Sequence, residues 1–417
     1  MRISTTMQFT RNLNFIQRSN SSVDQAANKY NTGLKFQTAG EDPAGMSSKV
    51  KYEGSIAAYD QYKADGILAD NALSEEETAM QSLWEALSSI YTRLQQCIDG
   101  SNDQSSMNAI ADEIEQMRDH LFNLTNTQNT EGEYIFSGAD SSRPCFTLTS
   151  DGHYTCQADG STRSVQVAPN VAVQVSDSGL DIFENCKLAY EMSYKDATGA
   201  SMATPDIAYG GVSDYGDFND LFEQYYSPAP ATGAANQLRI EVTAPTGDAK
   251  TSTFELFDPA GNKIYEGEVK SNGYIDVKGM EFELGSPTYA GTINIDLKKP
   301  RNDNILNQLT DIVSTIRNEG MNKSEKIGAI TRVEEDVNIA MTHYDSYRGK
   351  IGARQNTITD VLQSNEALSN IKKESKANVS EIDAFEAASN LVVANNQLTV
   401  SRQIYSNLTK QSLFDYI

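Results

Sequence analysis

Apolar residues recur at alternating steps of three and four along the last third of the chain. One set is Ile330, Val337, Tyr344, Ile351 and Ile358, at seven-residue spacing. The interleaved set is Val333, Ala340, Tyr347, Val361 and Leu368, and only Arg354 and Asn365 interrupt the pattern. Such a seam predicts a coiled-coil helix from about Ser324 to about Ala377. A polar residue in a seam commonly fixes register at some cost in stability.

A seam of this kind needs partners, and the N-terminal third offers them. Met80, Leu83, Leu87, Ile90, Leu94 and Cys97 repeat the same spacing, as do Ile110, Ile114, Met117, Leu121 and Leu124. Asp99-Gly100-Ser101-Asn102 between them reads as a tight reversal. A shorter helix near Ile305 to Ile316 carries Leu306, Leu309, Ile312, Val313 and Ile316, and Glu319-Gly320 follows its end.

The extreme ends form their own pair. Phe9, Ile16, Val23 and Tyr30 recur every seven residues, with Leu13 and Ala27 between. Leu391, Leu398 and Tyr405 do the same at the other end, with Ala394 and Leu408 between. Asn20 and Ser401 thin these seams, so each helix is marginal alone and needs a partner. The chain then closes on Leu413, Phe414, Tyr416 and Ile417, large apolar side chains where ends usually fray.

Between the helical arms the period falls to two. Val165, Val167, Val171, Val173 and Val175 alternate around Pro169-Asn170, which predicts a hairpin. Residues 238–242, 254–256, 274–277, 282–284 and 293–297 alternate as well, separated by turn formers such as Asp258-Pro259-Ala260-Gly261-Asn262. Residues 187–235 are rich in Tyr, Gly, Pro and Ala and read as a loose segment joining two β modules. The fold class is therefore α+β and multidomain. A long α-helical coiled-coil bundle is formed by both chain ends, with an antiparallel β region of roughly residues 137–300 inserted at its tip.

Composition removes several functions. The 417 residues carry a net charge of −23, from 57 acidic and 34 basic residues. That field repels nucleic acid and anionic membrane, so neither is expected as a partner. No stretch of about 18 apolar residues is present to span a bilayer. The start MRISTTMQFTRNLNFIQ lacks the apolar core of a secretory signal, which taken alone points to the cytoplasm.

No catalytic constellation emerges either. His120, His153 and His343 are scattered, no glycine-rich phosphate cradle occurs, and nothing singles out one carboxylate pair from an acidic surface. His153 and Cys156 near Cys145 are a thin metal reading, outweighed by a surface hairpin with incidental polar residues. No enzyme activity, metal or cofactor is expected. Cys145 and Cys156 flank a turn at Asp151-Gly152 and could meet across a hairpin, but the register is not fixed by sequence and their pairing stays open.

One joint stands out: Asn31-Thr32-Gly33-Leu34-Lys35, followed by Thr38-Ala39-Gly40-Glu41-Asp42-Pro43-Ala44-Gly45. Gly33 can end the first helix, and Asp42 before Pro43 suits the cap and first turn of the next. The same joint would let a terminal helix swing. It belongs to a wider set: MRIST at the start, GEYIFSG at 132–138, the stretch from Asp151-Gly152 through STRSVQVAPNVAVQVSDSGLDIFE, EIDAFEAAS at 381–389, and the terminal SLFDYI. As a set, over about residues 1–186 and 300–417, these resemble the bacterial flagellin family.

The resemblance implies a structural subunit of the flagellum that polymerises through its terminal helices. MRIST, YIFSG and SLFDYI favour a subunit joining hook to filament over flagellin or hook-associated protein 1. An extracellular adhesin acting through the β insert is a further alternative. The implied divisions are 1–35 with 383–417 for a discontinuous assembly domain and 36–136 with 301–382 for the helical bundle. Residues 137–186 form a β domain, and 187–300, longer than a compact member needs, an added outer β module. The implied partners are other copies in a ring, hook-associated protein 1, flagellin and an export chaperone. The implied location is extracellular, reached by flagellar type III export without a cleaved signal, which reverses the cytoplasmic reading. The assembly surface would comprise Phe9, Leu13, Ile16, Val23, Tyr30, Leu391, Leu398, Tyr405, Leu408, Leu413, Phe414, Tyr416 and Ile417.

Overall fold

A computed structural model of the chain describes residues 5–99, 102–195, 207–229, 236–247 and 249–414. The chain divides into two compact units. One comprises residues 1–67, 166–172 and 358–417; the other comprises 68–165 and 173–357. The helices are α1 (Thr5–Thr32), α2 (Pro43–Ile98), α3 (Gln104–Thr125), α4 (Tyr215–Tyr225), α5 (Ile305–Arg317), α6 (Lys323–Ser380) and α7 (Ala384–Phe414). Helices α2 and α6 contribute residues to both units.

In the first unit, α1 and α7 run antiparallel, and two joints are stitched together. Gly33 ends α1 at φ +69°, its N–H donating to the Lys29 carbonyl at 2.9 Å. Leu34 then forms an isolated antiparallel bridge with Glu381. The Lys35 N–H donates to the Ser380 carbonyl at 2.8 Å, and the Ile382 N–H to the Gly33 carbonyl at 2.9 Å. The turn between α1 and α2 is thus held to the turn between α6 and α7. Asp42 caps α2 as its sequence suggests: Oδ1 accepts from the Gly45 N–H at 2.9 Å, with Pro43 in the first turn. Phe36 is buried against Gly45, where a β-carbon would collide with its ring.

The second unit holds most of the seam. Ile330, Val333, Val337, Ala340, Tyr344 and Ile351 are buried, as are Met80, Leu83, Leu87, Ile90, Leu94 and Cys97 of α2. Gln355 Nε2 donates to Ser74 Oγ at 3.2 Å across the two helices. Helix α3 packs on α5, capped by Asp103 and Asn304 respectively, and Leu306, Leu309, Ile312, Val313 and Ile316 of α5 are all buried.

The central region is antiparallel β. A short hairpin pairs β1 (Phe146–Leu148) with β2 (Tyr154–Cys156), and a second pairs β3 (Ser164–Ala168) with β4 (Val171–Gln174) through Pro169 and Asn170, the latter at φ 64°. A single π turn follows at Leu180–Glu184. Then come β5 (Met192–Lys195), β6 (Ile207–Val212), β7 (Gln237–Thr243), β8 (Thr253–Phe257), β9 (Lys263–Glu268), β10 (Tyr274–Val277), β11 (Met280–Leu284) and β12 (Gly291–Leu297). They form a five-stranded sheet of order β5-β12-β7-β8-β9 and a three-stranded sheet of order β10-β11-β6. Leu238, Ile240, Phe254, Leu256, Ile275, Phe282, Ile293 and Ile295 fill one core, with Phe218 and Phe222 of α4.

That core corrects the reading of 187–235 as a loose segment. Strands β5 and β6 and helix α4 all lie there, each tied to later strands. The helix is short but amphipathic: Tyr215, Phe218, Leu221 and Phe222 are buried, and Asp214 accepts from the Gly216 N–H at 2.8 Å. Its Tyr- and Gly-rich composition masked a helical period that spans only three turns.

Buried and half-buried acids tie this region to the helices. Asp177 accepts two hydrogen bonds from Arg354 of α6 and its own N–H donates to Glu76 of α2 at 2.9 Å. Asp336, also on α6, accepts from the Ala189 N–H at 2.7 Å. Glu191 receives both Arg301 and Arg332 at 2.9 Å. Burial, and then the neighbouring Asp177, pushes the Glu76 carboxyl up to about 8. Burial likewise pushes Asp336 up to about 6.

Candidate assembly surface

The pairing of α1 with α7 is set by two complementary stripes. On α7, Ala387, Ala394 and Leu398 are buried, and Leu391 and Tyr405 are half-buried. On α1, Ile16 and Val23 are half-buried, and Phe9 packs on Tyr405 with ring centroids 5.3 Å apart. The small residues at 387 and 394 let the two backbones approach. The polar positions that thin the seams find partners: Ser401 Oγ lies 3.3 Å from Ser19 Oγ, and Arg402 donates to Asn20 Oδ1 at 3.2 Å.

The structure therefore brings Phe9, Ile16, Val23, Leu391, Leu398 and Tyr405 together. Burial is incomplete: Phe9 remains 46% exposed, Leu13 38% and Tyr30 50%. Helix α7 continues to Phe414. The side chains of Leu408, Leu413 and Phe414, and the whole of Tyr416 and Ile417, lie outside the described residues.

A second surface escaped the sequence reading. Phe385, Val392, Val393, Val400 and Ile404 on α7 fall off the buried stripe and are exposed, Phe385 at 84%. Helix α7 thus carries apolar residues on two faces, and a search for one seam finds only the first. The available signal was the dense apolar content between 391 and 405, more than one stripe can hold. A shallow groove of about 480 Å³ runs beside this face, lined by Ser19, Val393, Asn396, Gln397, Val400 and Ser401. Across the described residues, the exposed large apolar side chains lie in the first unit, apart from Leu68, Leu148 and Tyr265.

Among the described residues no group of His, Cys, Asp and Glu is placed to hold a metal ion, and no helix is long and apolar enough to cross a membrane. His153 sits instead 3.3 Å from Asp311.

Comparison with known proteins agrees with this architecture. The bacterial flagellin N-terminal helical region matches residues 3–141. Flagellar hook-associated protein 3 of Salmonella typhimurium is 25% identical over 187 residues, covering 44% of this chain and 57% of the relative. Its Escherichia coli counterpart is 24% identical over 185 residues, with the same coverage. The match thus spans little more than half the length of these curated relatives. Among solved structures, flagellar hook-associated protein-3 of Legionella pneumophila superposes with a TM-score of 0.58 at 17% identity, covering 79% of this chain and 98% of that one. FlgL of Xanthomonas campestris gives 0.56 at 18% identity, covering 78% and 99%.

Proposed function

We propose that this flagellin-like chain is a structural subunit of the bacterial flagellum, one that joins hook to filament by polymerising through α1 and α7. The observation that carries the proposal is the unfinished burial of the terminal pair. Phe9, Leu13 and Tyr30 on α1, and Phe385, Val392, Val393, Val400 and Ile404 on α7, stay in contact with water in the single chain. Fully burying a side chain of this kind contributes about 1.5–3 kcal/mol. Covering these rows with further copies would supply a driving force that the monomer leaves unused.

Segments 1–35 and 383–417 would form the assembly domain, with Leu408, Leu413, Phe414, Tyr416 and Ile417 extending its surface. Neighbours would be other copies in a ring, hook-associated protein 1 on one side and flagellin on the other. A chaperone would cover the apolar terminal helix before export, and the chain would leave by the flagellar route without a cleaved signal. The role is mechanical, and no catalysis is assigned.

Removing Leu398–Ile417 tests the reading. The truncated chain should keep the β and α3–α5 folds, by circular dichroism and cooperative unfolding, yet fail to restore motility to cells lacking the full-length protein. Restored motility with filaments attached would overturn it.

A further inference from the structure

Ser176, Asp177 and Ser178 are three consecutive polar residues, all buried, in the stretch that leaves β4. The Arg163 N–H donates to Ser176 Oγ at 3.0 Å, and the Gly160 and Leu180 N–H groups donate to Ser178 Oγ at 3.1 and 3.2 Å. Gln174 Nε2 donates to Asp177 Oδ1 at 2.8 Å, and Arg354 of α6 holds the same carboxylate through both Nη atoms. Towards α6 the stretch is thus held by a paired charge.

Towards α2 it is held differently. The Asp177 N–H donates to Glu76 Oε1 at 2.9 Å. Glu76 is 0% exposed, and its Oε2 has no partner. The nearby cation, Arg354, is committed to Asp177. An ionised carboxyl sealed from water with a single donor is costly, so burial favours the neutral acid. The Asp177 carboxylate acts in the same direction, and Arg354 and Arg163 act against it. Tyr347 of α6 faces Asp177 and Arg354; burial pushes its phenol up, so it stays neutral alongside them.

We propose that Glu76 is a proton-operated latch: as the neutral acid it holds the Ser176–Ser178 stretch to α2, and its ionisation releases that stretch locally. The inference is independent of how the chain assembles. The release has natural limits. The Val175 N–H donates to the Arg163 carbonyl at 2.8 Å and the Gly179 N–H to the Phe136 carbonyl at 2.7 Å, so the chain is pinned on both sides of the part that lifts. Once lifted, the stretch lets water reach Glu76, whose carboxyl returns to its ordinary range. The closed form therefore binds one proton more than the open form, and rising pH favours opening. Between the ordinary 4.5 and the folded value of about 8, the open fraction rises about tenfold per pH unit, then levels off.

The test is hydrogen exchange of the full chain, read by mass spectrometry between pH 5.5 and 7.5 and corrected for the intrinsic rate at each pH. Protection of peptides covering 175–179 should fall about 100-fold over that range. Because the opening is local, that protection should not respond to sub-denaturing urea, whereas protection of β7 and β12 should fall with it. In Glu76→Gln the pH dependence of 175–179 should vanish. Protection of 175–179 that is independent of pH in the wild type, that tracks β7 in urea, or that keeps its slope in Glu76→Gln would each overturn the proposal. The wild-type pH and urea dependences decide the matter even if Glu76→Gln folds poorly.

Discussion

Arg354 of α6 holds Asp177 with two parallel hydrogen bonds, Nη1 to Oδ2 at 2.8 Å and Nη2 to Oδ1 at 2.9 Å. In the heptad pattern Arg354 looks like a fault, a charge where an apolar residue belongs. The fold uses it to anchor the segment following β4. Asn365, the other interruption, donates to the Val167 carbonyl at 2.7 Å and is itself buried. Both polar breaks are thus points where a strand carbonyl or a carboxylate is received by the helix.

The ion pair gives the first prediction. Arg354 and Asp177 are 17% and 5% exposed, and Glu76 lies beside them. Arg354→Met would leave two acids buried without their cation. A loss of about 3–5 kcal/mol follows from breaking such a buried pair. Adding Asp177→Asn should recover part of that loss. Urea unfolding of the single and double variants measures the coupling, and additive losses would contradict it.

The second prediction concerns pH. Glu76 Oε1 accepts from the Asp177 N–H, while Oε2 is buried with no partner. Arg354 and Arg163 oppose, without cancelling, the upward push from burial and Asp177. The folded-state value, about 8, exceeds the ordinary 4.5. The stability linked to Glu76 is therefore complete below about 4.5 and is lost as pH rises through 8. Asp336, raised from 3.8 to about 6, adds a loss at lower pH. Denaturant titrations from pH 5 to 9 should show stability falling, more gently in Glu76→Gln, which keeps the accepting oxygen. Equal slopes would count against this account.

How much of this was legible follows from the residues themselves. The seam from Ile330 to Ile358 could be read because Ile330, Val337, Tyr344, Ile351 and Ile358 are all buried, so the seven-residue apolar spacing holds there even though Arg354 breaks the interleaved set. It drifts further along. Leu368, expected in the seam, is 39% exposed, and Ser369 is buried in its place. A straight α-helix turns by about 20° per heptad relative to a strict seven-residue repeat, which moves the buried face forward by one position over this length. Glu76 and Asp336 were invisible for another reason. In so acidic a chain a buried carboxylate has the same letter as the solvated majority, and only the long-range contacts to Asp177 and Ala189 distinguish it. The exposed apolar row of α7 was hidden because Phe385, Val392, Val393, Val400 and Ile404 do not fall on the heptad of the stripe that holds Leu391, Leu398 and Tyr405.

The third prediction addresses register in the first unit. Asn365→Leu would leave the Val167 carbonyl without its donor in a buried place. The lost hydrogen bond should cost about 1–3 kcal/mol despite the more apolar side chain. Faster amide exchange in β3 and β4, measured by mass spectrometry, should accompany it. A stabilised variant with unchanged exchange would mean that the seam, not the hydrogen bond, governs this contact.

The fourth prediction separates folding from assembly. Leu398 is 8% exposed on the buried stripe of α7, whereas Val393 and Val400 are 50% and 51% exposed off that stripe. Leu398→Ala should weaken the α1–α7 pair by about 2 kcal/mol, at the low end for a buried leucine because the pair is thin. Val393→Ser with Val400→Ser should change monomer stability by no more than about 0.5 kcal/mol, as at other open surface sites. Polymerisation, followed by light scattering and electron microscopy, should nevertheless fall in the double serine variant, because the second face would no longer repay its removal from water. Undiminished polymerisation of that variant, with Leu398→Ala impaired, would confine assembly to the α1-facing stripe and leave the outer face of α7 without a part in it.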